Sequence, residues 1–274
     1  CVCRKFGFSL VTVNLQKTID PVVPVEYITP TMSDSIYFIS DAHLGAAPLE
    51  HEQKKLSKLI TFLRGLRGRT PLLYIVGDLF DFWFEYRSTI LKQHFSVLHE
   101  LASLVESGTH IVYLAGNHDF WLGSFLKEQI GVETVYGQLD VEHQGKRMLI
   151  CHGDGMISKD WNYRLMRKIL HNRLNIWLFQ WIHPDLGVWL GRKVSSTSRD
   201  HGAPTSWNPA LAYKELAVKK LAAGYDCVIF GHVHKPHYEQ LDGRVYVNLG
   251  DWIRYYTYGV MTDGILRLEK VEKG

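Results

Sequence analysis

The sequence has no uninterrupted run of about 18 uncharged apolar residues, so no segment reads as a membrane-spanning helix. Cysteine is scarce. The 4 cysteines, at positions 1, 3, 151 and 227, do not make a disulfide framework. Cys151 and Cys227 lie in apolar runs, the usual setting of buried free thiols in a reducing cytosol. A strong charge of one sign is also missing. The formal net charge of +3 gives no basic footprint of the kind that nucleic-acid binding demands. What is present is ordinary globular composition, 46% hydrophobic and 22% charged, over 274 residues. That is enough chain for one large α/β domain with a sizeable core.

Residues 1–31 lack clear periodicity, carry Pro21, Pro24 and Pro30, and precede Met32. From Met32 the chain reads Met-Ser-Asp-Ser-Ile-Tyr-Phe-Ile, running straight into a strand-like segment. The expectation is a non-native or disordered N-terminal extension over 1–31 and a catalytic domain over 32–274.

Short apolar runs recur at Ile36–Ile39, Leu72–Val76, Ile111–Leu114, Met148–Cys151, Val228–Phe230 and Val245–Val247. Most are β-branched or aromatic and are followed by Gly, Asp or His, as buried strands are. Between the first three lie helical stripes: Leu56, Leu59, Ile60 and Leu63, then Leu91, Phe95, Leu98, Leu101 and Val105. Alternating strand and helix predict an α/β fold, in which ligands gather at the carboxyl ends of strands. The later part, Val245–Glu269, has strands without helices between them, so a mixed sheet or a two-sheet sandwich is expected rather than a purely parallel sheet.

Five motifs end strand-like runs: Asp41-Ala-His43, Gly77-Asp78-Leu-Phe-Asp81, Gly116-Asn117-His118-Asp119, Cys151-His152-Gly153-Asp154 and Gly231-His232-Val-His234. Alone, each is weak. A Gly-Asp turn after a strand is usually only a turn, and His94, His99, His110, His143, His171 and His237 read as ordinary surface or core histidines. Together they supply what a two-metal site needs, several O and N ligands with one carboxylate shared by both ions. Asp41 and His43 are two apart at one strand end and project in similar directions, as do His232 and His234. Asp78, following Gly77 directly after Val76, is the natural bridge. Asn117 offers a neutral oxygen and His152 an imidazole. The set contains no thiolate, which favours manganese, iron, cobalt, zinc or magnesium over a structural zinc site.

Residues 161–193 break the strand–helix rhythm. They hold four of the chain's eight tryptophans, and Arg164, Arg167, Lys168, Arg173, Arg192 and Lys193 stand against Asp185 alone. They read as two helices hinged near Pro184, part of a helical cap inserted over about 158–200. An apolar face beside basic residues suits a lid or a membrane-contacting cap.

The five motifs resemble those of the calcineurin-like metallophosphoesterase superfamily, over about residues 34–260. That resemblance implies a four-layer αββα sandwich with two divalent ions between the sheets, manganese first among the candidates. By it, Asp41, His43, Asp78 and His234 hold one ion, and Asp78, Asn117, His152 and His232 the other. A metal-bridging hydroxide then attacks phosphorus in line. His118 binds the phosphate and protonates or stabilises the leaving oxygen, and Asp119 orients its imidazole. Asp81 and Asp154 fall behind the ligands.

Segments outside the metal motifs narrow the resemblance: Asp81-Phe-Trp-Phe-Glu-Tyr-Arg87, Gly116-Asn-His-Asp-Phe-Trp121, His152-Gly-Asp-Gly155, His183-Pro-Asp-Leu-Gly187 and Asn248-Leu-Gly-Asp-Trp252. They are similar to the UDP-2,3-diacylglucosamine pyrophosphatase family of lipid A synthesis, in its branch with Gly-Asn-His-Asp as third motif. This implies hydrolysis of the lipid nucleotide at the α-phosphorus, giving UMP and 2,3-diacylglucosamine 1-phosphate. Asp160, Arg192, Lys193 and Ser195 would contact the sugar and its phosphates, with Asn117 and His118 also on the substrate. The implied partner is a lipid nucleotide and not nucleic acid. The implied location is cytoplasmic, with peripheral contact to the inner membrane through the cap. Two other readings carry less. A nuclease or broad phosphodiesterase is disfavoured by the charge balance and the apolar cap, and a non-catalytic scaffold by the intact ligand set.

Overall fold

The computed structural model describes residues 35–46, 48–157, 168–170, 172–200 and 208–272. The N-terminal extension expected over 1–31 lies outside them.

Two sheets are stacked. The first runs β11-β10-β1-β2-β3-β4, built from β1 (Ile36–Ile39), β2 (Leu72–Val76), β3 (His110–Leu114), β4 (Glu133–Val135), β10 (Thr257–Thr262) and β11 (Ile265–Lys270). The second runs β5-β6-β7-β9-β8, from β5 (Gln138–His143), β6 (Lys146–Cys151), β7 (Cys227–Phe230), β8 (His237–Leu241) and β9 (Arg244–Asn248). β1 to β4 are mutually parallel and β10 joins β1 antiparallel. In the second sheet β6, β7 and β9 are parallel, with antiparallel β5 and β8 at its edges.

Side-chain alternation along each strand explains the layering. Leu72, Tyr74 and Val76 of β2 face Met148, Ile150 and Ile229 of the other sheet in one dry cluster. Leu73 and Ile75 point the other way, onto Leu59 and Leu63 of α1 (Leu49–Leu66) and Leu98, Leu101 and Leu104 of α2 (Phe95–Glu106). Behind the second sheet, Leu149, Val228 and Phe230 receive Tyr213, Ala217 and Leu221 of a later helix, Pro209–Ala222. The order of layers is therefore αββα. Strands buried on both faces read as continuous apolar runs, and these do.

Between β6 and β7 the chain leaves the sandwich. α3 (Arg173–Phe179) and α4 (Pro184–Asp200) are separated by a short turn, and Pro184 opens the second. They precede α5, the Pro209–Ala222 helix, whose N-terminus is capped by the side chain of Asn208 accepting from the Leu211 amide. Ile176, Phe179 and Val188 of the insertion pack on Phe82, Phe84 and Tyr86, which follow the second motif. Gly187 and Gly191 permit that approach. A Cβ at Gly187 would lie 1.9 Å from the Tyr86 hydroxyl, and one at Gly191 2.4 Å from the Phe82 ring.

Candidate metal centre

All five motifs leave the carboxyl ends of parallel strands: β1, β2 and β3 in one sheet, β6 and β7 in the other. The two sheets thus deliver their ligands to one place. Sharp turns aim them. Asp41, His43, Asp78, His232 and His234 all have positive φ, between 43° and 65°. Non-glycine residues seldom adopt that conformation, and it persists only where surroundings enforce it. Here backbone bonds do so: Asp41 N donates to Gly77 O at 3.1 Å, His43 N to Asp78 O at 2.9 Å, and Gly231 N to His152 O at 3.1 Å. Gly116 lets the second and third motifs touch, since a Cβ there would fall 2.6 Å from the Asp78 backbone nitrogen.

Side-chain atoms converge in two overlapping groups. Asp41 Oδ1 lies 3.6 Å from His43 Nε2 and 3.5 Å from His234 Nε2. Asn117 Oδ1 lies 3.0 Å from His152 Nε2 and 2.9 Å from His232 Nδ1. Asp78 Oδ2 stands between them, 3.5 Å from His43 Nε2 and 3.3 Å from His152 Nε2. One carboxylate oxygen is thus shared by both groups. The other, Asp78 Oδ1, accepts from the His118 amide at 2.9 Å, fixing which oxygen faces inward.

The donor set fits divalent cations. Asp41 Oδ1, His43 Nε2 and Asp78 Oδ2 are buried and have no hydrogen-bond partner among the described residues. Buried polar atoms left so are costly, and three converging on one point are explained by a cation there. Mixed carboxylate, amide and imidazole donors suit metals of the manganese, iron and zinc class.

The electrostatics agree. Burial opposes ionisation of Asp41, but His234, His43 and His152 outweigh it and hold its pKa at about 2. Asp78 is likewise held well below the carboxylate range against burial, chiefly by His152 and His118. Against the same penalty, Asp41 and Asp81 push His43 up to about 10, and Asp78 raises His152 well above its ordinary value. The carboxylates demand positive charge, which His43 and His152 supply as imidazolium unless a cation does. Burial, then His152, lowers His232 to about 4, leaving it a neutral donor.

Asp119 departs from expectation. The Asp119 carboxylate does not meet the His118 ring. It accepts from the amides of Gly116 (2.9 Å), Asp78 (3.2 Å) and Phe80 (3.3 Å), and from the Tyr113 hydroxyl. It is a fully buried knot tying the second motif to the third, and burial with Asp78 nearby raises its pKa to about 6. Asp81 meets His118 instead: Nδ1 lies 3.2 Å from its carbonyl oxygen and 3.7 Å from its Oδ1. The reason is geometric. The Asp119 carboxylate turns back onto the amides of Gly116, Asp78 and Phe80, whereas the carbonyl and carboxylate of Asp81 face the His118 ring.

Lys55 is a residue that sequence reasoning missed. It shares a helix face with Leu59 and Leu63, and is 2% exposed. Its Nζ donates to the His43 carbonyl at 2.6 Å and pairs with Glu52 at 3.0 Å, while Glu52 accepts from the Gly45 amide at 2.8 Å. α1 thereby grips the first motif from behind. A lysine on an apolar stripe was the available signal.

Of the expected substrate contacts, Asp160 lies outside the described residues, as do the side chains of Arg192 and Ser195. Lys193 is on α4, exposed, with its Nζ 5.2 Å from the Trp189 ring centre. The insertion exposes Leu174, Trp177, Leu178, Trp181, Leu186 and Trp189.

Comparison with known proteins places this geometry. The family profile described as Calcineurin-like phosphoesterase matches residues 35–236. The chain is 33% identical over 259 residues to the UDP-2,3-diacylglucosamine hydrolase of Porphyromonas gingivalis, covering 88% of this chain and 99% of that protein. It is 31% identical over 234 residues to the UDP-2,3-diacylglucosamine hydrolase of Neisseria meningitidis serogroup B, covering 83% and 94%. Among solved structures, that of a novel archaeal phosphodiesterase aligns with a TM-score of 0.45 at 17% identity, covering 86% of this chain and 99% of that one.

Proposed function

Because the chain belongs to the calcineurin-like phosphoesterase family, we propose that it hydrolyses the pyrophosphate of UDP-2,3-diacylglucosamine, giving UMP and 2,3-diacylglucosamine 1-phosphate in lipid A synthesis. It is a metal-dependent hydrolase. The observation that carries the reading is Asp78 Oδ2 standing between His43 and His152, one carboxylate serving two ligand groups. Asp41, His43, Asp78 and His234 would hold one divalent ion and Asp78, Asn117, His152 and His232 the other, with manganese preferred over iron, cobalt, zinc or magnesium. Bound there, such ions act as Lewis acids and lower the pKa of water.

The chain's own residues do the rest. The buried carboxylates and imidazoles fix the ligand geometry without reorganisation. His118, with Nδ1 turned to Asp81, contacts the phosphate through Nε2. Burial lowers the pKa of His118, and Asp78 and Asp81 partly offset that. An arriving anionic phosphate favours protonation at Nε2, so that His118 can donate to the oxygen that leaves with the β-phosphate. Water adds to the α-phosphorus and the bridging P–O bond breaks.

The insertion supports the lipid half of the substrate. Each buried CH₂ of an acyl chain contributes about 0.8 kcal/mol. The exposed Trp and Leu side chains, with Arg87 over Trp181 and Lys193 over Trp189, suit acyl chains and anionic headgroups at a membrane surface. No helix among the described residues is long and apolar enough to cross a membrane. In this reading contact is peripheral, on the cytoplasmic face of the inner membrane. In this reading the domain spans 32–274 with its cap at about 158–200.

Hydrolysis in ¹⁸O-water tests the reaction. The label is expected in UMP, since water adds to the α-phosphorus. Label in the sugar 1-phosphate, or no UMP, overturns the proposal.

A further inference from the structure

The segment Asn248-Leu-Gly-Asp-Trp252, which follows β9, has no part in the chemistry above, yet it touches two of the five motifs. Leu249 N donates to Phe230 O at 2.9 Å, Asn248 Nδ2 to Gly231 O at 2.7 Å, and Trp252 N to Asp41 O at 3.1 Å. It thus bonds to the backbone of both the first motif and the fifth. Asp251 sits between these contacts and is 2% exposed. Its Oδ1 accepts from the amides of Ile253, Arg254 and Tyr255, at 3.1, 2.7 and 3.1 Å. Its Oδ2 faces His234, 3.7 Å from Nδ1.

An imidazole has two nitrogens, and a ligand histidine must offer one as a lone pair while the other carries the proton. The partner of the second nitrogen decides which is which. Two of the candidate ligand histidines have a group facing the second nitrogen. His152 Nδ1 lies 2.9 Å from Val76 O, and His43 Nδ1 lies 3.4 Å from Asp81 Oδ1. His234 is the outlying case. Its side chain is 34% exposed against 1% for His43 and His152, so packing constrains it less than those two. It leans on His43 ring to ring at 4.7 Å, a contact that does not distinguish Nδ1 from Nε2.

We propose that Asp251 is a positioning residue for His234. It draws Nδ1–H toward its Oδ2, so that Nε2 presents its lone pair to the group formed with Asp41, His43 and Asp78. The same carboxylate, through Oδ1, ties the His234 orientation to the 253–255 turn. This inference rests on the metal assignment above.

Asp251→Asn separates the two roles of the side chain. The amide oxygen can keep the three backbone donors, while the amide nitrogen cannot accept from His234. Metal-stripped full-length protein is titrated with Mn²⁺ by calorimetry. The wild type is expected to take up two ions. In Asp251→Asn one ion binds as in the wild type and the other about 10–100-fold more weakly, the usual cost of losing such a support. Loss of a nearby charge alone would also weaken binding, so tautomer state is read separately. Long-range ¹H–¹⁵N spectra of Zn²⁺-loaded protein should show His234 protonated at Nδ1 in the wild type and no longer uniformly so in the variant. Equal affinities, or an unchanged His234 signature, overturn the proposal alone. A wild type that binds fewer than two ions overturns the metal assignment and the proposal with it.

Discussion

His118 turns its Nδ1 toward Asp81, 3.2 Å from the carbonyl oxygen and 3.7 Å from Oδ1. The same carboxylate oxygen lies 3.4 Å from His43 Nδ1, so Asp81 faces His43 and His118 together. Replacing Asp81 by Ala should lower kcat by about 10–100-fold, as removal of such outer partners does. The thermal unfolding midpoint should move little by comparison. Steady-state kinetics beside a melting curve checks this; a variant with wild-type kcat contradicts it.

Asp119 has the opposite profile. It receives three backbone amides and the Tyr113 hydroxyl in a fully buried place. Asp119→Ala leaves those donors without an acceptor, at about 1–3 kcal/mol each for the worst placed. The expected outcome is a destabilised protein, by about 3 kcal/mol or more, measured by urea unfolding of the metal-free chain. A loss of activity at unchanged stability would instead return Asp119 to the catalytic role that the sequence suggested.

The two sheets are linked by a buried pair, Tyr74 of β2 and His143 of β5, with the hydroxyl 2.7 Å from Nε2. Burial pushes the His143 pKa down to about 4. In the unfolded chain the group titrates near 6.5, so between these values the unfolded state binds the extra proton, and stability falls as pH falls. From pH 7 to pH 5 this group should cost about 1–2 kcal/mol. His143→Gln removes that part of the slope, so the stability gap between wild type and variant should shrink on acidification. A pH-independent gap contradicts the account.

Trp177 and Trp181 of the insertion are 50% and 65% exposed. Changing both to Ser should weaken sedimentation with anionic vesicles by about tenfold or more, given the apolar area each can bury at an interface. It should also raise KM for the diacylated substrate more than it lowers kcat. Unchanged vesicle binding and unchanged KM would leave the insertion without a lipid role.

Much of this was legible in the sequence because buried strands advertise themselves. The six apolar runs became β1, β2, β3, β6, β7 and β9, and the expected departure from a purely parallel sheet is seen as two mixed sheets, with β9 in the second and β10 and β11 at the edge of the first. The convergence of the candidate ligand residues was legible because each follows such a strand. β4 and β5 were not, since Glu133–Val135 and Gln138–His143 lie at sheet edges and are largely polar. The exchange between Asp81 and Asp119 was invisible for another reason: which carboxylate meets His118 depends on a turn that brings residues 37 positions apart together. Lys55 and Asp251 contact His43 and His234 from outside the motifs, and spacing gives no hint of such contacts.

The most direct test of the central claim is UMP release from UDP-2,3-diacylglucosamine by chelator-treated protein before and after Mn²⁺ is restored, run beside Asp78→Ala. The shared position of Asp78 predicts release in the wild type only with metal, and none in a folded Asp78→Ala. No release above the chelated control, or turnover retained by the variant, would contradict it.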